Sequence, residues 1–207
     1  MNKTQATAIA HTLGNASKMP GKTYGIPAKE CNVGGKLRNI NGSTCASCYA
    51  LKGRYVMDNV QNAEYIRLDS IVHPLWVDAM ATLINHECHK VPFFRWHDSG
   101  DIQDLSHLCK IVEVAKRTPT ISHWLPTREY KIVQLYRKLY GEFPTNLVVR
   151  LSAHMVDSAP PSGYGLPTST VVSDGNETCP SRQQGNECKR CRACWQPETA
   201  NVSYAKH

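Results

Sequence analysis

Two groups of cysteines carry the strongest chemical signal in this sequence. The first has the spacing C-x13-C-x2-C, and the last three members of the second have the spacing C-x2-C-x2-C. Both lie in segments rich in Gly and Asn, which bury too little apolar surface to offset the entropy of ordering them without a bound metal. The predicted metal ligands are Cys31, Cys45, Cys48, Cys179, Cys188, Cys191 and Cys194.

Ligand sets made only of thiolates suit zinc or an iron-sulfur cluster. The close succession of C-x2-C pairs favours a compact [4Fe-4S] cluster, with zinc as the alternative. Three thiolates leave one iron open to a further ligand, whereas four close the coordination shell. The sequence therefore predicts one or two clusters. The remaining cysteines, Cys88 and Cys109, lie at helical positions beside apolar neighbours and are predicted to be packed thiols.

Polar side chains follow three predicted strands at the points where those strands end. In a parallel sheet these ends share one edge, and buried charge is costly there unless it is paired or bound to a ligand. We therefore expect a polar pocket, in which Arg128 and Arg150 bind an anionic group through forked hydrogen bonds. Helix capping is the alternative role for Asp101, Asp104 and Thr127. The predicted cofactor-binding residues are His97, Asp98, Ser99, Gly100, Asp101, Arg128 and Arg150.

Short apolar runs alternate with amphipathic stretches along the chain. The runs predict strands at 22–26, 91–96, 121–126, 147–153 and 170–173. Helical periodicity predicts a stretch over 59–86, broken or kinked at Pro74, and two helices at 104–116 and 129–140. This order indicates an α/β fold: a partial, opened parallel β/α barrel of about five to six strands, with cysteine-rich metal-binding loops at the carboxyl-end rim.

A chain of 207 residues fits a single domain. We expect an N-terminal extension at 1–20 and a β/α core at 21–175, with the first cysteine loop at 31–48. A C-terminal cysteine-rich segment is expected at 176–207. No apolar run approaches the roughly 20 residues that a membrane-spanning helix needs, and no signal peptide is recognisable. We therefore expect a cytoplasmic protein without a membrane partner, in which clustered cysteines serve a metal or catalysis.

The formal net charge is +7, from 24 Lys and Arg against 17 Asp and Glu. This excess is compatible with an anionic partner, such as nucleic acid or a nucleotide-like cofactor, and does not require one. An anionic small-molecule substrate and a redox partner are the other expected partners.

Five stretches together resemble the phage-encoded gene product 88 family: TCASCYALKGRY, RWHDSGDI, WLPTREY, LVVRLSAHM and CPSRQQGNECKRCRACW. The resemblance runs from Cys31 to Trp195. The family in turn resembles the radical S-adenosylmethionine fold, in which three cysteines follow the first strand and a Gly-plus-acid motif follows the second. Ser99, Gly100 and Asp101 occupy the equivalent place. The first two cysteines are thirteen residues apart here, where that superfamily has three.

The resemblance implies an iron-sulfur protein located in the host cytoplasm, with S-adenosylmethionine as a candidate cofactor and radical catalysis as a candidate activity. Two other classes of function remain open. One is a zinc-stabilised nucleic-acid-binding module without catalysis, and the other is an electron carrier.

Overall fold

The computed structural model describes residues 1–206 of the chain. It is an α/β fold built on one six-stranded, all-parallel sheet in which every strand pairs with the next strand along the chain. No pairing joins the first strand to the last within residues 1–206, so the sheet is open. The strands are β1 Lys22–Tyr24, β2 Phe93–Trp96, β3 Ser122–Thr127, β4 Leu147–Ser152, β5 Thr168–Val172 and β6 Asn201–Ala205.

Within residues 1–206, six α-helices accompany the sheet. Single turns of 3-10 helix occur in the loops, among them Ala28–Glu30, Tyr49–Leu51, Gly53–Val56 and Ala193–Trp195. The α-helices are α1 Lys3–Ala10, α2 Asn32–Leu37, α3 Asp58–Ser70, α4 Trp76–Glu87, α5 Leu105–Arg117 and α6 Tyr130–Tyr140.

Side chains alternate between the two faces of the sheet, as the two-residue period of a strand requires. In β2, Phe94 and Trp96 belong to the large hydrophobic core, together with apolar residues of α1, α4, α5 and α6. Phe93 instead packs against a second cluster that contains Trp124 and Trp195. All six residues of β4 are buried, because this central strand is covered on both faces.

The second face is covered by the segment that joins β5 to β6. Trp195 in this segment donates a hydrogen bond from its indole nitrogen to the carbonyl of Phe94, at 2.9 Å. Its ring packs edge-on against Trp124, with centroids 5.2 Å apart, and against Phe93, at 5.5 Å. The second cysteine group therefore belongs to a segment that packs directly on the sheet.

The five strands predicted from the sequence are present, with ends shifted by at most two residues. The helical stretch broken at Pro74 is two helices, α3 and α4. The sequence did not predict β6, which completes the sheet inside the expected cysteine-rich segment. Residues 1–20, expected as an N-terminal extension, contribute α1, whose Ala6 and Ala10 are fully buried in the core.

The bounds and composition of the helices bear on the membrane prediction. Among residues 1–206, no helix has both the length and the apolar composition that crossing a membrane requires.

Candidate functional site

The first cysteine group lies in the loop between β1 and α3. Cys31 follows the 3-10 turn after β1 and is the N-cap residue of α2. Cys45 and Cys48 follow α2 and are linked to each other by a backbone hydrogen bond of 3.2 Å. The backbone N–H of Thr44 donates to the carbonyl of His154, just after β4, at 2.9 Å. This contact ties the loop to the carboxyl-terminal side of β4.

Gly34 in α2 shows how closely two of these thiols approach each other. A Cβ atom placed on Gly34 would lie 3.5 Å from the sulfur of Cys45 and 3.6 Å from the sulfur of Cys31. Both sulfur atoms therefore border the same point in space. The absence of a side chain at Gly34 leaves this point free.

Burial and neighbouring charge act on these thiols together. Burial raises the pKa of Cys31 well above its ordinary value, and the carboxylate of Asp101 and the other two thiols raise it further. Burial also raises the pKa of Cys45. Arg128 is the cation that opposes these effects at both residues. Deprotonating Cys31 and Cys45 here is therefore favoured by additional positive charge, which a bound metal supplies.

Asp101 is one of the predicted cofactor-binding residues, and its carboxylate is satisfied by the protein itself. One oxygen accepts from the hydroxyl of Thr127 at 2.6 Å and from the backbone N–H of Ile102 at 2.8 Å. The other accepts from the backbone N–H of Arg128 at 2.9 Å. Asp101 thereby links the loop after β2 to the end of β3. It does not cap α5, because that role belongs to Asp104, which accepts from His107 N–H at 2.7 Å.

His97 packs into the protein interior beside α5. Its ring is buried and packs edge-on against His107 of α5, with centroids 5.3 Å apart. Neither ring nitrogen has a hydrogen-bond partner within residues 1–206. Burial lowers the pKa of His97 far below its ordinary value, with smaller contributions from His107 and Arg95. A neutral imidazole inside the core is the form that this position favours.

The next three residues of the motif form a tight loop against the end of β1. The carbonyl of Ser99 accepts from Ile26 N–H at 3.0 Å. Gly100 has φ +83°, and a Cβ atom there would lie 2.4 Å from a side-chain carbon of Ile26. Asp98 accepts from the hydroxyl of Tyr55 at 3.2 Å, while its other carboxylate oxygen is buried without a hydrogen bond. Glycine is therefore required at position 100, and Asp98 keeps one oxygen free.

The two predicted anion-binding arginines are in different surroundings. Arg128 donates from Nε to the hydroxyl of Thr44 at 3.0 Å, which directs it toward the first cysteine loop. Among the described residues, its terminal nitrogens have no hydrogen bond. Arg150 is fully buried, and its terminal nitrogens donate to four backbone carbonyls between 2.8 and 3.2 Å: those of Thr168, Ala193, Gln196 and Thr199. Arg150 therefore holds the segment before β6 against the sheet.

The second cysteine group lies on the face of the sheet opposite the large core. Cys194 is buried, and its sulfur is 3.1 Å from the hydroxyl of Tyr204 in β6. The thiol of Cys179 is 3.3 Å from the hydroxyl of Ser181. The backbone N–H of Cys179 donates to the carbonyl of Ser203 at 3.0 Å. Cys191 donates from its backbone to the carbonyl of Cys188, at 2.8 Å.

The thiols of this second group influence one another. Burial raises the pKa of Cys188, and the thiols of Cys179 and Cys191 raise it further, while Arg95 lowers it. Burial raises the pKa of Cys194 to about 11, against the lowering effects of Tyr204, Arg150 and Arg95.

All nine cysteines are free thiols. Cys88 is completely buried in the large core and Cys109 packs against it, which confirms that both are packed thiols. Within residues 1–206, no three or more His, Cys, Asp and Glu side chains already form a set that could hold a metal ion.

Three polar residues that contact or lie near the predicted site segments were not among the predicted site residues. Tyr204 lies in the strand that the sequence did not predict. Glu64 is buried in α3 near Asp98, and burial raises its pKa to about 7. Glu129 accepts from the backbone N–H of Val33 in α2 at 2.8 Å. The period of the apolar residues gives no signal for any of them, because each contact joins segments that are distant in sequence.

A comparison with models of protein families gives one match, which covers residues 1–197 and is described as Gene product 88. No curated protein and no solved structure matches the chain. The matched region contains both cysteine groups and the loop from His97 to Asp101. On this evidence the chain belongs to the Gene product 88 family.

Proposed function

We propose that this chain is an iron-sulfur protein in which Cys31, Cys45 and Cys48 hold a [4Fe-4S] cluster. The observation that supports the proposal most directly is the meeting of Cys31 and Cys45 at Gly34, with Arg128 beside them. The donor set consists of thiols only, which is the set that iron-sulfur clusters use. Their burial without sufficient positive charge also favours a bound cationic centre.

We propose that the second group holds a further cluster. Its four cysteines would complete the coordination by themselves, whereas the three of the first group would leave one iron open to a small chelating ligand. The first centre is therefore the proposed site of chemistry. The second centre is better suited to electron transfer or to stabilising the segment before β6.

The ligand of the first centre is proposed to be a small molecule that carries both a cationic and an anionic group. Asp98 has a carboxylate oxygen without a hydrogen bond, and Arg128 has free terminal nitrogens near the thiols. S-adenosylmethionine, which the resemblance to the radical fold implies, has both kinds of group. Asp101 and His97 would act indirectly, because the first is fully hydrogen-bonded and the second faces the core.

The alternative of a zinc-stabilised nucleic-acid module has less support near the second group. Arg192, which lies between two of its cysteines, stacks on Phe93 at 4.8 Å and donates to the carbonyl of Cys191 at 2.7 Å. Phosphate binding would need a free guanidinium, and these contacts already occupy that of Arg192.

The test measures iron, acid-labile sulfide and zinc per chain in protein purified without oxygen. We expect about eight irons and eight sulfides in the wild type and about four of each in Cys45→Ala and in Cys191→Ala. Cys109→Ala serves as the matched control and should keep the full content. Zinc without sulfide would overturn the proposal. Loss of all iron from either folded variant would show a single shared centre.

A further inference from the structure

Two polar side chains that are not cysteines lie beside the second cysteine group. Tyr204 reaches the group from β6, with its hydroxyl 3.1 Å from the sulfur of Cys194. Arg95 reaches the same face of the sheet from β2, where its guanidinium lies over the ring of Trp124, which packs in the cluster that contains Cys194. Both residues come from strands, so the sheet fixes their positions independently of the cysteine loop.

Arg95 has no carboxylate partner. Within residues 1–206 its guanidinium forms no ion pair, and its Nε is buried without a hydrogen bond. Its Nη1 contacts the sulfur of Met19 at 3.8 Å, and its Cζ atom lies 4.5 Å from the ring centre of Trp124. A guanidinium remains charged at any physiological pH and is costly to bury without an anion. The Asp98 carboxylate favours the charged guanidinium from beyond ion-pair distance, and bound cysteine thiolates would be a further anion on the side of the second group.

Metal binding by Cys194 would decide which atom donates in its hydrogen bond with the Tyr204 hydroxyl. A metal-bound cysteine has lost its proton, so the hydroxyl of Tyr204 must be the donor in the contact with Cys194. A phenol keeps its proton at neutral pH, since its ordinary pKa is about 10. The contact then becomes a charge-assisted hydrogen bond to a ligand sulfur.

We infer that Arg95 and Tyr204 are positioning residues for the centre held by the second cysteine group, where they stabilise its thiolate ligands and raise its reduction potential. The inference rests on the proposed function for the identity of that centre. Positive charge and hydrogen bonds at ligand sulfurs favour the more negative, reduced state of a cluster, so they raise its potential.

Arg95 also contacts the surroundings of the first group. Its Nη2 donates to the hydroxyl of Tyr49 at 3.1 Å, and Tyr49 directly follows Cys48 in the chain. Removing the charge of Arg95 is therefore expected to lower the potentials of both centres, and that of the second centre more. Removing the Tyr204 hydroxyl is expected to affect the second centre alone.

The test compares Tyr204→Phe, Arg95→Gln and Arg95→Lys with the wild type by potentiometric titration followed by electron paramagnetic resonance. We expect a lower potential for the second centre in Tyr204→Phe and Arg95→Gln, and a smaller change in Arg95→Lys, which keeps the charge. Tyr136→Phe, which makes the same chemical change in the large core, should leave both potentials unchanged. Unchanged potentials in folded, metal-loaded Tyr204→Phe and Arg95→Gln would overturn the inference.

A second measurement separates this inference from the proposed function. Metal-free protein is titrated with Co²⁺, whose thiolate absorption reports binding at the cysteines. Loss of one outer hydrogen-bond partner typically weakens metal affinity about 10- to 100-fold, so we expect a weakening of that size in Tyr204→Phe. Equal affinity in the variant and the wild type would overturn the inference, whether or not the purified protein contains iron. Weakened Co²⁺ binding in a protein that never holds sulfide would overturn the iron-sulfur proposal alone.

Discussion

Asp101 and Thr127 are joined by a hydrogen bond of 2.6 Å that connects the loop after β2 to the last residue of β3. The same carboxylate accepts from the backbone N–H groups of Ile102 and Arg128. Arg128 is thereby held where its side chain reaches the first cysteine loop at Thr44. The carboxylate thus positions the arginine of the candidate site while remaining fully hydrogen-bonded itself.

The first prediction concerns this carboxylate. In Asp101→Asn, one carboxylate oxygen becomes an NH₂ group. This group faces either the backbone N–H of Arg128 or the two donors on the other oxygen, which are the Thr127 hydroxyl and the Ile102 N–H. Leaving a buried donor unsatisfied costs about 1–3 kcal/mol, so we expect the free energy of unfolding to fall by that amount in urea denaturation. Asp104→Asn is the matched control, because Asn caps a helix as well as Asp does. Equal stability of the two variants would contradict the role given to Asp101.

The second prediction concerns Gly100. An added methyl group would meet both the side chain and the carbonyl oxygen of Ile26, at 2.4 and 2.7 Å, and the φ of +83° is unfavourable for any other residue. We expect Gly100→Ala to lower the free energy of unfolding by at least about 3 kcal/mol, from combined strain and overpacking. Gly141 has the same φ but open space around it, so Gly141→Ala measures the backbone cost alone. A loss no larger in Gly100→Ala than in this control would refute the steric explanation.

The third prediction concerns Arg150. Arg150→Met would remove the guanidinium donor from four carbonyls, of which those of Ala193 and Gln196 keep a backbone donor. Hydrogen bonds to charged groups contribute about 1.5–3 kcal/mol each. We expect a loss of at least about 3 kcal/mol, together with faster proteolysis of residues 173–200. The exposed Arg117, which pairs with Asp78 and Glu113, is the matched control, and Arg117→Met should change stability by less than about 1 kcal/mol. Unchanged protease resistance in Arg150→Met would show that other contacts hold the segment.

The fourth prediction concerns pH. Burial lowers the pKa of His107 to about 4, with the opposing effect of Asp104 and a further lowering by Lys110. The unfolded chain binds the proton near pH 6.5, whereas the folded chain binds it near 4, so the unfolded state takes up more protons between these values. The free energy of unfolding should therefore decrease as the pH falls through this window. We expect the free energy of unfolding of His107→Phe to decrease less over this window than that of the wild type. The difference should be about a few kcal/mol.

Glu64 provides a control of opposite sign for the pH experiment. Its folded pKa of about 7 lies above the value of 4.5 expected in the unfolded chain. Between these values the folded state binds more protons, so this group destabilises the fold as the pH rises. The stability of Glu64→Gln relative to the wild type should therefore be higher at pH 7 than at pH 4.5. Urea denaturation of both variants at pH 4.5 and pH 7 measures these stability differences. A dependence on pH of the same sign in the two variants would contradict the assignments.

The sequence was sufficient to predict the α/β class, five of the six strands and the helices that follow β2 and β3. These elements are encoded locally, in apolar periodicity and in the caps at their ends. It failed at β6, because Asn201–Ala205 is only five residues long and is recognisable as a strand through its pairing with β5. The cysteine groups were also evident from spacing alone.

Residue types at the strand ends predicted a shared pocket, but only the tertiary structure decided where each of these side chains lies. Arg128 points toward the cysteines, while His97 enters the core and Arg150 binds backbone carbonyls on the opposite face. Local sequence determines that a polar residue follows a strand. Its partners depend on loops up to a hundred residues away, so the roles of Arg150, Tyr204 and Arg95 were decided by long-range packing.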